Sequence, residues 1–255
     1  MIQTIEHGPV RELRLDRPPA NALSPELIVA LRQAFEAAPA EGARALVLSG
    51  APRRFSAGLD VPLLLSLDRP AMDGVWRDFY GLLKVMAECP IPIAAAITGH
   101  APAGGTVLAL FCDWRVVAVG EWAIGLNEVP VGLPLPPVIY KALQRLIGER
   151  QAARLAVEGT LMSPAEALHI GLVDQMVPPE TVVESALAWC LRLLALPRGA
   201  MSITRREARR ELVGFFSTDL SSELREVSAG WWAEETQHVL RGLADRLAQR
   251  KLAKS

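Results

Sequence analysis

Three short apolar runs, each followed by a loop of small residues and then by a helical pattern, constrain most strongly what this chain can fold into. The runs cover residues 43–49, 91–97 and 114–119. Strand, loop and helix in repeated succession indicate an α/β architecture with mostly parallel strands. Ligands of such folds lie at the ends of the strands. We therefore expect a functional site where the loops that follow these runs gather.

The segments before the first run predict a ββα opening. Residues 2–5 and 10–15 are apolar or alternate around His7-Gly8-Pro9, which is typical of a hairpin. Ser24-Pro25 then marks the start of a helix, because a hydroxyl N-cap precedes a proline at the first helical position. Further helices are predicted at 71–88, 104–112 and 138–147.

After residue 148 the pattern becomes mainly helical. Ser163-Pro164-Ala165-Glu166 has the sequence of a capping box, and Gly171 ends that short helix. Three more helices are predicted over 181–194, 200–212 and 220–252, and Trp231-Trp232 are expected to pack against the body or a neighbouring subunit. We divide the chain into a core, 1–197, and a helical C-terminal region, 198–255.

The composition excludes several classes of function. Of 255 residues, 51% are hydrophobic and 22% charged, and the net charge is −1, so nothing attracts the chain as a whole to nucleic acid or an acidic membrane. No apolar run is long enough to span a bilayer. Cys89, Cys112 and Cys190 lack a zinc-binding spacing and are expected to be buried thiols. With no visible signal peptide, we expect a cytoplasmic protein without a metal site.

Two of the predicted loops have the composition of a site for a developing negative charge. They are Arg53–Asp60, which reads RRFSAGLD, and Gly99–Thr106, which reads GHAPAGGT. Small residues let a ligand approach the main chain closely. Two backbone N–H groups offered from two such loops are what an oxyanion needs. Either loop alone could be a simple tight turn, whereas the two together favour a site.

Four motifs in order resemble the crotonase (enoyl-CoA hydratase/isomerase) superfamily, and most closely its mitochondrial-type Δ3,Δ2-enoyl-CoA isomerases. The motifs are FSAGLD, PAGG, IGLNE and SPAEALHIGLVDQMV, and the similarity extends to about residue 215. The resemblance implies a spiral of ββα units and a helical C-terminal region that builds trimers or dimers of trimers. It also implies an acyl-CoA substrate in fatty-acid oxidation, with no cofactor beyond the CoA of that substrate.

The resemblance also assigns site residues by position. The backbone N–H groups of Leu59 and Gly104 would form the oxyanion hole, and Glu128 would be the catalytic acid and base. Residues implied to contact the substrate or its CoA are Ala22, Ala57, Gly58, Asp60 and Asn127.

The residue at position 107 decides between two reactions. Hydratases of the superfamily use two glutamates to hold and deprotonate a water, and one of these positions is Val107 here. A valine cannot activate a water, whereas double-bond migration needs one carboxylate that moves a proton from C2 to C4. Glu128 lies in apolar surroundings that should raise its pKa. The alternative is an ordinary surface glutamate.

Several residues keep two readings at this point. Asp60 could hold the first oxyanion loop or cap the next segment, Asn127 could contact the thioester or form a turn, and His100 could be structural or a proton relay. Arg53-Arg54 could meet CoA phosphates. The Arg205-Arg206 and Arg209-Arg210 pairs are expected to be solvated helix faces, although a C-terminal cation could reach CoA.

The leading hypothesis is thus an enoyl-CoA isomerase. The alternatives are an enoyl-CoA hydratase, another thioester-enolate reaction such as hydrolysis or decarboxylation on the same scaffold, and a non-catalytic acyl-CoA-binding homologue. Double-bond migration and hydration can be told apart by following both products from separate 2-enoyl and 3-enoyl substrates.

Overall fold

The computed structural model describes residues 1–252, with side chains up to residue 249. A six-stranded sheet forms its centre, in the order β1-β2-β3-β5-β7-β9, and only the β1–β2 pair is antiparallel. The mostly parallel α/β architecture is therefore confirmed. The strands of this sheet are β1 (Ile2–His7), β2 (Val10–Leu15), β3 (Ala45–Ser49), β5 (Ile93–Ile97), β7 (Trp114–Ala118) and β9 (Gln175–Val177).

A second sheet of three short parallel strands lies beside the first. Its order is β4-β6-β8, with Arg53 paired to Gly99 and Pro102 paired to Gly125. The sequence did not predict it, because strands of two to four residues show no periodicity. Its strands are β4 (Arg53–Arg54), β6 (Gly99–Pro102) and β8 (Ile124–Gly125).

Helices cover both faces of the large sheet, which explains why β3 and β5 are buried at every residue. Two short 3₁₀ turns, Val129–Val131 and Pro179–Thr181, complete the structure. The helices are α1 (Pro25–Ala40), α2 (Val61–Leu64), α3 (Arg69–Glu88), α4 (Gly104–Leu110), α5 (Pro137–Ile147), α6 (Glu149–Glu158), α7 (Pro164–His169), α8 (Val182–Leu194), α9 (Arg198–Ala208), α10 (Arg210–Gly214), α11 (Ser221–Trp231) and α12 (Glu234–Leu252).

Short sequence patterns correctly predicted several of these elements. The hairpin before residue 16 is present, and the Ser24 hydroxyl accepts a hydrogen bond from the Leu27 N–H at the start of α1. The capping box between Ser163 and Glu166 is formed in both directions. Helix α6 was not predicted. Cys89, Cys112 and Cys190 are free and buried, as expected.

The C-terminal helices differ from the prediction in two ways. The helices expected over 200–212 and 220–252 are each broken, after Ala208 and after Trp231. Trp231 is buried and meets Trp76 edge to face, with ring centroids 6.1 Å apart. Within the described residues no single helix is long and apolar enough to cross a membrane. One pair bent by 115°, Pro179–Leu194 and Arg198–Ala208, meets that criterion when taken together.

The expectation that Arg205 and Arg209 lie on solvated helix faces was wrong. Their side chains are only 11% and 5% exposed and lie against Asp113, with nitrogen–oxygen distances of 2.8 and 2.7 Å. Arg209 also donates to the carbonyls of Met86 and Phe111. A basic stripe on a helix does not reveal a buried acidic partner 92 or 96 residues away. Arg206 and Arg210 are exposed, as predicted.

Candidate active site

The small sheet brings three loops to one edge of the protein. Its strands β4, β6 and β8 run parallel, so their carboxyl ends face the same way. The segment 55–59 follows β4, Ala103-Gly104 follows β6, and 126–128 follows β8. The proposed oxyanion residues and the proposed base therefore all lie just beyond this edge, where parallel sheets hold their ligands.

The first loop presents the Leu59 N–H away from its neighbours. Leu59 forms a parallel bridge with Leu23, in which the Leu23 N–H donates to Gly58 O and the Asp60 N–H donates to Leu23 O. In this pattern the N–H of Leu59 itself points to the opposite side. It has no protein acceptor among the described residues.

The second loop packs directly on the first. A Cβ on Gly104 would lie 2.8 Å from Leu23 Cδ1 and 3.1 Å from Gly58 Cα, so a larger residue there would force Leu23 and the first loop to shift. Gly58 has φ +81°, and a Cβ on it would lie 3.0 Å from Gly104 N. Gly104 is the first residue of α4, and its N–H therefore has no acceptor within the helix. The two loops therefore pack closely at Gly58 and Gly104.

Glu128 follows β8 and opens a tight turn. Its carbonyl accepts hydrogen bonds from the N–H groups of Val131 and Leu133, at 3.0 and 2.9 Å. The residue as a whole is half-buried, but Oε2 is shielded from solvent and has no hydrogen-bond partner among the described residues. Burial raises the pKa of Glu128 to about 7, against a smaller lowering by a backbone hydrogen bond. The expected direction of this pKa shift is confirmed.

Position 107 offers no second carboxylate. Val107 lies in α4, three residues after Gly104, and is 1% exposed. Its side chain belongs to the apolar core. A group that could hold and deprotonate a water at this place is therefore missing from α4.

The side chain of Asp60 does both things considered for it. One oxygen accepts from the Leu63 N–H at 3.3 Å and caps α2. The other oxygen lies 2.7 Å from Arg17 Nη1, which also donates to the carbonyl of Ala22. Arg17 was not singled out from the sequence, because nothing in its surroundings predicts a partner in the later loop.

Asn21 and Ser56 form hydrogen bonds at the first loop that the sequence did not predict. Asn21 is 3% exposed at φ +51°, and its Nδ2 donates to the carbonyls of Leu15 and Phe55. Ser56 Oγ donates to the Asn21 carbonyl and accepts from the Gly58 N–H. These bonds join the first loop to the segment that contains Ala22. Ala22 is half-buried and Ala57 is exposed.

Asn127 and His100 differ in whether their side chains have hydrogen-bond partners among the described residues. Asn127 Oδ1 is buried without a partner among the described residues, so the loop itself does not use it. His100 is exposed, and its Nδ1 accepts from the Ala123 N–H at 3.0 Å. Its ring meets Trp122 edge to face at 5.4 Å. These contacts favour a structural role for His100.

Arg53, Arg54 and helix α12 lie around the edge of the candidate site. Arg53 and Arg54 are exposed; Arg53 lies over the Trp122 ring, and Arg54 donates to the Pro19 carbonyl. Helix α12 covers the turn after Glu128, where Thr236 Oγ1 donates to the Gly132 carbonyl. The structure thus encloses the base loop from the C-terminal side while leaving two cations beside the first loop.

Comparisons with known proteins point to one family. A family model described as Enoyl-CoA hydratase/isomerase matches residues 6–226. Human Enoyl-CoA delta isomerase 1, mitochondrial, is 31% identical over 245 residues, which cover 95% of this chain and 81% of that protein. A Mycobacterium tuberculosis protein named Probable enoyl-CoA hydratase EchA17 is 35% identical over 197 residues, 76% of this chain and 74% of that protein.

Among solved structures, human mitochondrial delta3-delta2-enoyl-CoA isomerase superposes with a TM-score of 0.92 at 30% identity. The superposition covers 98% of this chain and 99% of the human one. An enoyl-CoA hydratase/isomerase from Mycobacterium paratuberculosis superposes with a TM-score of 0.84 at 28% identity, over 94% and 97% of the two chains.

Proposed function

Because the chain belongs to the enoyl-CoA hydratase/isomerase family, we propose that it moves a carbon–carbon double bond from C3 to C2 of an acyl-CoA thioester. One observation carries the proposal: Glu128 has a buried oxygen without a partner among residues 1–249, and its pKa is raised to about 7. It stands at the sheet edge that also carries the N–H groups of Leu59 and Gly104. A group with this pKa can both accept and return a proton near neutral pH.

The proposed reaction uses one base and two main-chain donors. Glu128 removes a proton from C2, and the negative charge develops on the thioester oxygen. The N–H groups of Leu59 and Gly104 stabilise that oxygen in the transition state. Glu128 then returns the proton at C4. One C–H bond breaks, another forms, and the double bond passes from C3=C4 to C2=C3.

Substrate contacts are proposed for residues around the same edge. Gly58 and Ala57 shape the first loop, Ala22 lies on the segment bonded to it, and Asp60 holds that segment through Arg17. The Oδ1 of Asn127, which has no partner among the described residues, can accept a hydrogen bond from an N–H group in the CoA part of the substrate. The substrate is an acyl-CoA, and its CoA is the only cofactor the reaction needs.

Assembly and location are proposals of the same kind. We propose a trimer or a dimer of trimers built by the helical C-terminal region. A cytoplasmic location stays a prediction, and the human and mouse relatives are named as mitochondrial proteins.

Hydration is the second candidate, because a relative with 35% identity is named a probable hydratase. Val107 argues against it, since an apolar side chain cannot bind the attacking water. Two alternatives remain, another thioester-enolate reaction and a non-catalytic acyl-CoA-binding protein. Both need the same oxyanion hole, but Glu128 would have a different role in each.

The test is incubation with 3-enoyl-CoA and 2-enoyl-CoA in separate reactions. Double-bond migration without 3-hydroxyacyl-CoA supports the proposal. Hydration at a rate comparable with migration contradicts it and favours a hydratase. Binding of both thioesters without turnover favours the non-catalytic alternative.

A further inference from the structure

Thr106 connects the two halves of the candidate site. It is the third residue of α4 and is 2% exposed. Its hydroxyl donates to the Ala101 carbonyl at 2.5 Å and accepts from the Gly125 N–H at 2.9 Å. Ala101 belongs to the strand that leads to Gly104, and Gly125 belongs to the strand that leads to Glu128.

Gly125 has no side chain, so only its backbone groups can hold it next to Thr106. Its φ is +137°, and a Cβ there would lie 2.4 Å from the Thr160 carbonyl oxygen. Its carbonyl accepts from the Ala103 N–H at 2.8 Å, so the turn 103–106 holds both of its backbone groups. Only Leu126 and Asn127 separate Gly125 from Glu128.

We propose that Thr106 is a positioning residue that fixes the carboxylate of Glu128 relative to the N–H of Gly104. The inference rests on the proposed function, in which one carboxylate must reach C2 and C4 while the thioester oxygen stays in the hole. A misplacement of about 1 Å in such a geometry lowers the rate by about 100-fold. Thr106 touches no reacting atom and acts through Gly125.

The experiment compares Thr106→Val with Thr106→Ser in the full chain. Valine keeps the shape and removes the hydroxyl, whereas serine keeps the hydroxyl and removes a methyl group. With 3-enoyl-CoA we expect Thr106→Val to lower kcat by at least about tenfold, with KM within about twofold of wild type. Thr106→Ser should stay within about threefold of wild type in both parameters.

Rates are divided by the number of binding-competent molecules, measured by calorimetric titration with butanoyl-CoA. This correction removes any loss of folded protein, which a merely structural threonine would cause without changing kcat per site. If Thr106→Val binds no butanoyl-CoA, Thr106→Ala takes its place with the same expected fall in kcat per site.

Two results overturn the inference while leaving the proposed function in place. One is a wild-type kcat per binding site in the variant without the hydroxyl. The other is an equal fall in Thr106→Ser and Thr106→Val, which would show that the hydroxyl is not responsible. A wild-type protein that does not move the double bond of 3-enoyl-CoA contradicts the proposed function, and the inference with it.

Discussion

Glu128 carries an oxygen that is shielded from solvent and has no hydrogen-bond partner in the part of the chain that the structure describes. An unpaired buried acceptor of this kind destabilises a folded protein by about 1–3 kcal/mol, and more when it is charged. Strongly shifted carboxylates in such places are characteristic of active sites. The pKa of about 7 is the result of this desolvation, and it is also what the proposed chemistry requires.

Replacing Glu128 by glutamine tests the base directly. Glutamine has the same size but cannot accept the C2 proton, so Glu128→Gln should lower the rate of double-bond migration by about 10²–10⁴-fold. Binding of butanoyl-CoA should change little, since the oxyanion donors belong to the main chain. The exposed Glu121, just before β8, supplies the matched control Glu121→Gln, which should retain wild-type turnover. Turnover retained in Glu128→Gln would contradict the assignment.

The pH dependence of the reaction provides an independent test. Glu128 must be ionised to take the proton from C2, and its pKa is raised to about 7. We therefore expect kcat/KM to increase with pH up to about 7 and to level off above it. The rate with 3-enoyl-CoA, measured across this range, gives the apparent pKa of the free enzyme. A rate already constant from pH 5 upward would mean that the essential base is an ordinary carboxylate.

At the scale of elements, the small sheet shows why the sequence predicted the loops of the candidate site but not the strands and hydrogen bonds that hold those loops. The motifs FSAGLD, PAGG and IGLNE indicated which loops matter, because glycines and a lone glutamate stand out in sequence. The strands that place them are too short to show a period. Asn21 and Thr106 hold the loops by buried hydrogen bonds, and burial of a polar side chain is a tertiary property.

No residue of helix α9 is fully buried, but its Arg205 side chain is only 11% exposed and attaches the helix through charge. Its Arg205 meets Asp113, which also accepts from Arg209 and from the Ile93 N–H. Burial raises the pKa of Asp113, but the Arg209 and Arg205 guanidiniums outweigh it and hold that pKa below its usual range. The periodic pattern predicted a helix here, but not the buried cluster that attaches it.

Removing the charge of Asp113 should therefore detach this part of the protein. Asp113→Asn leaves two buried guanidiniums without a counter-charge, and the free energy of unfolding should fall by about 3–5 kcal/mol. The exposed pair of Glu207 and Arg210 provides the control, because Glu207→Gln should change the free energy of unfolding by at most about 1 kcal/mol. Denaturant unfolding measures both. Equal effects of the two substitutions would show that the buried cluster is not special.

For the whole molecule, the sequence predicted the order of the long strands and helices better than the positions at which the C-terminal helices break. Long periodic segments such as α3 were predicted within two residues. The breaks after Ala208 and Trp231 were not, because tertiary contacts of Arg209 and Trp231 decide them. The division at 197/198 stays a prediction. Assembly is likewise a property of surfaces, which a periodic pattern describes only in part.

The proposed trimer has a candidate contact surface on α8, α9 and the turn between them. Leu191, Leu196 and Ile203 are 48%, 49% and 58% exposed there. Leu196 also lines a groove of about 440 Å³, together with Trp189 and Met201, among others. Large apolar residues exposed on neighbouring helices, together with an apolar groove, are typical of interaction sites. We expect other copies of this chain to cover them.

Light scattering can test this surface. The wild-type protein should have three or six times the mass of its 27.6 kDa chain. Ile203→Glu places a charge on the surface and should reduce the mass to that of one chain, with an unchanged circular dichroism spectrum, because burying an unpaired carboxylate is unfavourable. Val157→Glu, at a residue on α6 that is 74% exposed, should leave the assembly intact. If Ile203→Glu keeps the wild-type mass, α9 does not lie in the contact, and the subunits must meet through another face of the helical region.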